Sequence, residues 1–507
     1  MTRAEVHQEI ERKLDPPAMF RLPALHDATP LPPLVLTATY YDTADLRLAR
    51  HRITLRRRTG GGDDGWHLKL PHDDDVTRDE LHLPIDTPGE PPAAFVNLVA
   101  GITRGAALAP VVTLRNERRP LALVDAEGRA LAELTDDHVS VLAGSGVGPV
   151  RSRFREIEVE AAPGRTAADI EPIVALLVEA GAMESSFASK ASRALGPGAT
   201  EPPDVIVPDV AVPHDPATLA LHSHIARQVA IIQTQDLRVR RGLDDSVHQM
   251  RVAIRRLRST LRVFAPLFDG PWADALRDEL GWLAAELGAA RDAEVLQQRL
   301  LASVATLRKL TDDERAAAER EVIAAMSRRA KAGRTRATKA MHSPRYVALL
   351  NALVEAAAAP KFEPAADATC TEALLPLVKD AWRELAGDVD ALRRKGGDEP
   401  WHEARIQAKR VRYAVDAVGP VFAKPAVKFG RRLSKVTELL GRHQDAAIAA
   451  TEAHAIANRE GADPAAAFVL GRLHDAARAE VRLVRRAFLD LWPTIAEPRL
   501  RRWLRRG

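Results

Sequence analysis

The sequence has a single cysteine, Cys370, in 507 residues. One cysteine excludes an intrachain disulfide framework and a cysteine-based zinc site, and it is typical of a reducing compartment. The chain also lacks any run of 18 uncharged apolar residues, and its first residues, MTRAEVHQEIERK, contain no apolar segment. We therefore expect neither a transmembrane helix nor a signal peptide, and we expect a cytoplasmic protein that does not bind membranes.

A large net charge is missing as well. The 73 Lys and Arg residues exceed the 69 Asp and Glu residues by only four, and aromatic residues make up only 4% of the chain. This excess is too small to indicate a polyanion partner by itself. The distribution of the charges along the chain is therefore more informative than their sum.

The composition of the chain changes near residue 196. Before this point, short strand-like runs such as RITLRRRT (52–59) and GWHLKLP (65–71) are separated by turn residues, and TGGGDDG (59–65) is typical of a hairpin connection. Residues 196–216 carry six prolines, after which Ala, Leu, Arg and Glu recur at helical spacing. We predict domains at residues 1–195 and 214–507, joined by a proline-rich linker at 196–213.

Several predicted strands have one apolar and one charged face, because strand side chains alternate with period two. Acidic residues share a face in EIERKL (9–14) and FREIEVEA (154–161), and basic residues share a face in RITLRRRT and GWHLKLP. The charged faces belong either to the solvent side of an ordinary sheet or to the lining of a closed barrel covered by helices. In a tunnel, Arg and Lys would bind phosphoryl oxygens and crowded glutamates would bind Mg²⁺ or Mn²⁺, which together indicate polyphosphate chemistry.

Five motifs in a fixed order resemble the CYTH family, the triphosphate tunnel metalloenzymes. They cover roughly residues 1–195 and are EIERK, YYDTADLRLARHRITLRRR, GWHLKLP, EIEVE and SFASKASRAL. The resemblance implies an eight-stranded antiparallel β tunnel that binds a linear triphosphate and hydrolyses it with Mg²⁺ or Mn²⁺ as cofactor.

The same resemblance implies roles for individual residues. The catalytic residues would be Glu9, Glu11 and Lys13. The metal would be held by Glu9, Glu11, Glu156, Glu158 and Glu160, and the triphosphate by Lys13, Arg56, Arg58, Lys69, Arg118 and Lys190. Further acidic tunnel residues would be Glu133 and Asp137. In TLRNERRPL, Arg118 matches the family best but lies on the opposite strand face from Arg115 and Arg119, so the arginine that enters the tunnel stays open.

The helical half repeats itself at an offset of 154 residues. HQMRVAIRRLRSTLRVFAPLF (248–268) aligns with HEARIQAKRVRYAVDAVGPVF (402–422), and LGAARDAEVL (287–296) aligns with LGRHQDAAIA (440–449) at nearly the same offset. Two correlated blocks at one spacing indicate a duplication. In each copy the histidine and three of the basic residues, at relative positions 0, 3, 7 and 10, fall within one helix sector of about 80°.

These blocks resemble the CHAD family, the conserved-histidine α-helical domains, over about residues 214–500. The resemblance implies two pseudo-symmetric helical bundles, here about residues 214–340 and 345–500, whose basic faces bind inorganic polyphosphate. The implied polyphosphate-binding residues are His248, Arg251, Arg255, Arg256, Arg258, His402, Arg405, Lys409, Arg410 and Arg412. A phosphate contact or a packing role is favoured over a metal role for the two histidines, because no cysteine lies nearby. Alternatively, the arginines could pair with glutamates of neighbouring helices, such as Glu279 or Glu286.

Two other features bear on the helical half. His443-Gln444-Asp445 stands where the first copy has Ala290-Arg291-Asp292, which removes one positive charge. The C-terminal RLRRWLRRG (499–507) contains five arginines, and we interpret it as a solvated, frayed basic helix end rather than as a nucleic-acid or membrane contact.

The expected fold class is therefore α+β multidomain, with a CYTH-like β tunnel followed by an all-α, duplicated CHAD-like domain. We expect a metal-dependent inorganic triphosphatase in the tunnel and polyphosphate binding by the helical domain. Two alternatives stay open: a non-catalytic polyphosphate-binding protein at polyphosphate granules, or a tunnel enzyme that acts on a nucleoside triphosphate or thiamine triphosphate. Nucleic-acid binding is disfavoured, because no aromatic stacking platform accompanies the basic faces.

Overall fold

A computed structural model describes residues 5–25, 27–72, 77–85, 89–143 and 148–505. It divides the chain into two compact units, Met1–Asp204 and Val205–Gly507. Unit 1 is built mainly from strands and unit 2 from helices, which confirms the expected fold class. The domain limits at residues 195 and 214 stay predictions.

Unit 1 contains ten strands and five short helices among its described residues. The strands are β1 (Glu5–Asp15), β2 (Ala28–Pro30), β3 (Leu34–Asp42), β4 (Thr54–Thr59), β5 (Gly65–Pro71), β6 (Thr77–Leu83), β7 (Ala109–Val124), β8 (Ala130–Leu142), β9 (Val150–Ala161) and β10 (Met183–Glu184). The helices are α1 (Arg47–Arg50), α2 (Ala93–Leu98), α3 (Ala100–Thr103), α4 (Ala167–Glu179) and α5 (Lys190–Leu195).

Eight of these strands close into an antiparallel barrel. Their order is β1-β6-β5-β4-β3-β7-β8-β9, and β9 pairs again with β1, whereas β2 and β10 pair at the outside with β7 and β1. The predicted hairpin at TGGGDDG joins β4 to β5. Gly60 in this turn has φ +98°, and a Cβ there would lie 2.2 Å from the carbonyl oxygen of Val35, so the position requires glycine.

The apolar strand faces point outward and are covered. Helix α4 packs Ile170, Val174 and Leu177 against Ile157 and Val159 of β9 in one buried cluster. The helix starts at a capping box, in which the backbone N–H and hydroxyl of Thr166 donate to Asp169 at 2.7 and 2.6 Å. Because these outer faces are buried, the charged faces of the same strands point into the barrel.

Unit 2 contains eight long helices among its described residues. They are α6 (Ala217–Arg240), α7 (Ser246–Val263), α8 (Gly270–Thr306), α9 (Asp312–Met341), α10 (Pro344–Ala358), α11 (Cys370–Ala391), α12 (Glu399–Ala457) and α13 (Pro464–Ile495), followed by a 3₁₀ helix at Pro498–Arg505. None of the helices in the described part of the chain is long and apolar enough to cross a membrane.

The duplication is visible in the helices. The first copy uses two helices, α7 and α8, whereas the second copy occupies the single long helix α12. Helix α12 is interrupted at Ala423, which has the non-helical angles φ 51° and ψ −134°. This kink falls where the offset of 154 residues places the break between α7 and α8. The two copies therefore share one design, a basic helix followed by a second helical segment.

Candidate active site

The interior of the barrel is a cavity of about 240 Å³ that is lined mainly by charged side chains. The charged lining residues are Glu9, Glu11, Lys13, Arg56, Arg58, Asp63, Lys69, Glu80, Arg118, Glu158, Glu160 and Lys190. Cations and carboxylates thus share one enclosed space of low dielectric, where their mutual interactions are strong.

The first group of charges lies around β1. The ammonium of Lys13 donates to Oε1 of Glu11 at 2.8 Å, and the ammonium of Lys69 contacts Glu9 and lies 4.0 Å from Oε2 of Glu11. Burial disfavours the ionised form of Glu11, but Lys13 and Lys69 lower its pKa to about 2. Burial raises the pKa of Glu9, and the adjacent carboxylate of Glu80 acts in the same direction. The two neighbouring glutamates of β1 therefore differ in their tendency to ionise.

A second group surrounds Lys190, the first residue of α5. Its ammonium lies 3.0 Å from Asp137, 2.8 Å from Glu156 and 2.6 Å from Glu158. Arg118 donates two hydrogen bonds to Asp137, at 2.9 and 2.8 Å, and one to Glu158 at 3.0 Å. Burial opposes the charge on Lys190, but the three carboxylates raise its pKa well above the ordinary value. Both cations are therefore fixed in place by carboxylates.

A third group joins β4, β5 and β6. Arg56 donates to Glu80 at 3.2 Å, and Nδ1 of His67 lies 3.1 Å from the same carboxylate oxygen. Burial lowers the pKa of His67 to about 4. Burial also lowers the pKa of Arg58 to about 10, and the neighbouring Arg56 acts in the same direction. An anion that entered the tunnel would relieve this repulsion between the two arginines.

The structure places the remaining predicted tunnel residues as follows. Arg118 faces the cavity, whereas Arg115 and Arg119 are exposed on the outer face of β7. Glu156 is fully buried against Lys190, and Glu133 is exposed near the end of the barrel, opposite Glu160 in the register. The arginine left open by the sequence is therefore assigned by the strand register, which pairs Arg118 with Asp137.

Glu80 and His67 were not predicted as site residues. β6 reads TRDELHL, with charges on both faces, so its alternation does not reveal which face is buried. The register pairs Glu80 with Lys69, and His67 lies two residues before Lys69 on the same face. The predicted inward position of Lys69 therefore also predicts that His67 faces inward. The inward position of Glu80 follows only from the strand register.

The carboxylates of the tunnel fit a hard divalent cation in their chemistry. Glu11 of β1 stands opposite Glu160 of β9, and Glu158 lies two residues further along the same face. Carboxylate oxygens are the ligands that Mg²⁺ and Mn²⁺ prefer. Within the described ranges, however, no three His, Cys, Asp or Glu side chains form a group that could hold a metal ion. Mg²⁺ is commonly bound by one or two carboxylates together with phosphate oxygens and water, and these residues suit such a site.

In unit 2, the basic stripes predicted on the two repeats come together. The stripe of α7 comprises His248, Arg251, Arg255 and Arg258, and that of α12 comprises His402, Arg405, Lys409 and Arg412. The two helices pack against each other, and Nε of Arg255 lies 3.5 Å from the hydroxyl of Tyr413. Burial lowers the pKa of Lys409 to about 8, and the adjacent Arg405 and Arg255 act in the same direction. Cations from both repeats thus form one group.

The remaining residues of the stripes, together with Arg256 and Arg410, have other partners or neighbours. Arg251 is held by Asp292 through two hydrogen bonds of 2.8 and 3.1 Å, and Arg412 donates to Thr437 at 3.1 Å. Arg256 and Arg412 both lie near Asp416, and Arg258 and Arg410 both lie near Arg277.

The two histidines of the stripes differ in their surroundings. His402 lies 2.9 Å from the side-chain oxygen of Gln444, and His248 is exposed.

The alternative counter-ions suggested from the sequence are engaged elsewhere. Glu279 accepts hydrogen bonds from Arg345 at 2.8 and 2.9 Å, and Glu286 accepts one from Arg336 at 3.2 Å. His443, which marks the difference between the repeats, is buried and stacks on Trp401 with the ring centres 5.1 Å apart. Its imidazole therefore belongs to the helix packing and not to the basic stripes.

Two domain families match the chain. The CYTH domain matches residues 7–193, and the CHAD domain matches residues 223–454. An uncharacterized protein of Mycobacterium tuberculosis, MT2285 of strain CDC 1551, is 33% identical over 470 residues, which cover 87% of each chain. The chain belongs to the CYTH–CHAD family. CYTH domains form triphosphate tunnel enzymes, and CHAD domains are associated with polyphosphate binding.

Solved structures resemble parts of this CYTH–CHAD protein. PptA from Streptomyces chartreusis is 28% identical, with a TM-score of 0.49, and the match covers 55% of this chain and 100% of PptA. The CHAD domain from the plant Ricinus communis is 26% identical, with a TM-score of 0.42, and the match covers 55% of this chain and 95% of that domain.

Proposed function

We propose that the CYTH domain is a metal-dependent inorganic triphosphatase and that the CHAD domain binds inorganic polyphosphate. The observation that supports the first part is the mixture of charges in the tunnel, where cations and carboxylates line one cavity. Cations alone would suffice to bind a phosphate chain. Carboxylates in the same cavity add the ligands for a divalent cation, which phosphoryl transfer requires.

Binding of triphosphate would give the lysines and arginines of the tunnel new hydrogen-bond acceptors. Lys13, Lys69, Arg118 and Lys190 are held by carboxylates in the described structure. Phosphoryl oxygens would replace those carboxylates as acceptors, and one or two of Glu11, Glu158 and Glu160 would then hold Mg²⁺ or Mn²⁺ together with phosphate oxygens and water. The bound cation supplies charge neutralisation on the phosphoryl oxygens. The arginines and lysines hold the chain for in-line attack by water and stabilise the charge that develops on the transferred group.

The size of the cavity favours an inorganic chain. Sites for drug-sized organic ligands usually measure 300–1,000 Å³, and the tunnel measures about 240 Å³. Inside the tunnel this leaves little space for a nucleoside or a thiamine beside three phosphoryl groups, although a pocket of about 720 Å³ adjoins it at Glu11 and Lys13. Inorganic triphosphate is therefore the substrate that we propose in preference to the two organic triphosphates.

The deciding experiment is phosphate release from inorganic triphosphate, ATP and thiamine triphosphate, each with Mg²⁺, Mn²⁺ or EDTA. We expect metal-dependent release that is fastest with inorganic triphosphate. Glu11→Gln should abolish release and leave the protein folded, because it removes a proposed metal ligand without changing side-chain size. Glu117→Gln is the matched control, since Glu117 is exposed on the outer face of β7. Unchanged turnover in Glu11→Gln would contradict the assignment of the metal site.

A further inference from the structure

A second basic pocket lies in unit 2, at the C-terminal segment. It measures about 580 Å³ and lies between the 3₁₀ helix Pro498–Arg505 and the part of α12 beyond the kink at Ala423. We call it the C-terminal pocket. It is lined by Lys424, Pro425, Lys428, Arg432, Arg499, Leu500, Arg502 and Trp503. None of these residues belongs to the basic stripes of α7 and α12.

The C-terminal segment is fixed rather than frayed. Trp503 is 8% exposed and Leu504 is 4% exposed. The ring centre of Trp503 lies 5.8 Å from that of Phe422 and 6.4 Å from that of Phe429. The arginines of this segment are therefore held opposite α12, and the apolar side chains that a membrane anchor would need are buried in the protein.

Most cations of the pocket have no counter-ion. Arg499 contacts Glu497, but within the described ranges Lys424, Lys428, Arg432 and Arg502 form no ion pair or hydrogen bond. The three residues on α12 recur every fourth position, so they share one helix face over about 12 Å. Like charges at this spacing repel each other, and an anion in the pocket would remove the repulsion.

One residue of the pocket lining also has a hydrogen-bond donor without a partner. The indole N–H of Trp503 is buried without an acceptor in the described part of the chain, which is unusual for a buried polar group. Ala423 interrupts α12 with a positive φ of 51°, so a new helical segment starts at the pocket. The first N–H groups of a helix lack intrahelical partners and attract anions.

Part of the pocket lining is apolar. Pro425, Leu500 and Trp503 line the pocket together with the cations. An inorganic phosphate chain has no apolar surface to bury against these residues, whereas a phosphate ester with an organic ring does. The pocket volume also lies within the range of 300–1,000 Å³ that is usual for organic ligands. The chemistry thus differs from that of the tunnel, which is smaller and lined mainly by charged side chains.

We propose that the C-terminal pocket binds a nucleoside polyphosphate. The phosphoryl groups contact Lys424, Lys428, Arg432 and Arg502, and the base packs on Pro425, Leu500 and the accessible part of Trp503. This site is independent of the triphosphatase proposed for the tunnel and adds a nucleotide to the ligands of the protein.

The test is calorimetric titration of the full chain with ATP in the presence of EDTA, which prevents hydrolysis. The double variant Lys428→Glu, Arg502→Glu should weaken one ATP-binding component at least tenfold. The matched control, Lys331→Glu with Lys339→Glu, makes the same charge change at exposed positions of α9 and should leave the titration unchanged. Binding of ATP in the tunnel is common to both variants and does not affect the comparison.

Two further measurements test whether the pocket recognises the nucleoside and not only the negative charge of the phosphates. Trp503→Phe keeps the aromatic packing, removes the N–H donor and should weaken the same component two- to fivefold. Inorganic triphosphate should bind this component at least threefold more weakly than ATP. The proposal is overturned if neither the double variant nor Trp503→Phe changes ATP binding, or if inorganic triphosphate binds as tightly as ATP. It is also overturned if single-stranded RNA or anionic vesicles, and not ATP, bind in a manner sensitive to the double variant.

Discussion

The ammonium group of Lys190 is held by three carboxylates at 2.6–3.0 Å. Removing one partner of such a buried ion pair commonly costs about 3–5 kcal/mol, because the remaining charge is left without compensation. The tunnel therefore holds its cations in fixed positions, and in the proposed function incoming phosphoryl oxygens would replace the existing partners. At the scale of single residues, the same side chains serve as the internal counter-ions and as the proposed ligand set.

Lys409 gives a prediction for pH dependence. Burial, together with Arg405 and Arg255, lowers its pKa to about 8 in the free protein. A bound polyphosphate favours the protonated amine and raises this pKa, so affinity is highest below pH 8 and falls as the pH rises above it. We expect the affinity for long-chain polyphosphate to fall by up to about tenfold per pH unit above pH 8. Titrations by calorimetry between pH 7 and pH 9.5 measure this slope.

Lys409→Arg is the control for that slope. An arginine stays protonated throughout this pH range, so the variant should bind polyphosphate with little change between pH 7 and pH 9.5. An equally steep fall in Lys409→Arg would show that another group titrates, and Lys409 would lose its place in the binding surface.

At the scale of elements, two glycines of α8 make room for the arginines of α7. A Cβ added at Gly288 would lie 2.9 Å from a guanidinium nitrogen of Arg251, and one at Gly281 would lie 3.2 Å from that of Arg258. The second repeat has Gly441 at the position of Gly288, and a Cβ there would meet no atom within 4 Å. Helix α8 therefore positions the arginines of the first repeat more closely than α12 positions those of the second.

This asymmetry is testable with two alanine substitutions. Gly288→Ala should displace Arg251 from Asp292 and weaken polyphosphate binding about threefold to tenfold, whereas Gly441→Ala should leave binding unchanged. Both changes favour the helix by up to about 1 kcal/mol, because alanine has the higher helix propensity. Binding isotherms should therefore show a lower polyphosphate affinity for Gly288→Ala, whereas thermal unfolding should show no loss of stability. Equal affinities for the two variants would contradict a positioning role of Gly288.

The strand patterns predict which side chains line the tunnel wherever charged and apolar residues alternate clearly along a strand. GWHLKLP keeps its charges on one face, and RITLRRRT does so except for Arg57. Arg56, Arg58 and Lys69 of these charged faces line the cavity. TLRNERRPL and RDELHLPI carry charges on both faces, so neither Arg118 nor Glu80 can be assigned from its own strand. Their positions depend on the register with a neighbouring strand, which pairs Arg118 with Asp137 and Glu80 with Lys69. Register depends on contacts distant in the sequence and is not contained in a local period.

The helical patterns have a similar limit. The repeat identifies the basic stripes of α7 and α12, since it depends on residues a few positions apart. It does not predict that α12 continues through Pro420 and Pro425 with a kink at Ala423. It also does not predict that RLRRWLRRG is anchored by Trp503, because this burial depends on Phe422 and Phe429 of a distant segment.

At the scale of the whole molecule, basic residues exceed acidic ones by only four, but the charges are arranged differently in the two units. In unit 1, buried cations are matched by carboxylates within one cavity. In unit 2, cations of two repeats meet with few carboxylates between them, while many exposed arginines elsewhere are paired, as Arg345 is with Glu279. A matched cavity suits a short chain together with a metal ion, and an unmatched surface suits a long polyanion.

The two proposed activities should therefore respond to different substitutions. Arg251→Glu combined with Arg405→Glu places new carboxylates beside Asp292 and Asp445, which already face these arginines. Repulsion of the phosphate chain should weaken binding of long-chain polyphosphate at least tenfold. Turnover of inorganic triphosphate should stay within twofold of the unchanged protein, because neither residue belongs to the tunnel.

Binding is measured by titration with long-chain polyphosphate and turnover by phosphate release, both on the full chain. The pair Lys331→Glu, Lys339→Glu again controls for net charge, since it reverses two exposed cations of α9 that lie outside the basic stripes. If triphosphate turnover falls in parallel with polyphosphate affinity only in the Arg251, Arg405 variant, the two units do not act independently. If long-chain affinity is the same in all three proteins, the polyphosphate site is not formed by the basic stripes of α7 and α12.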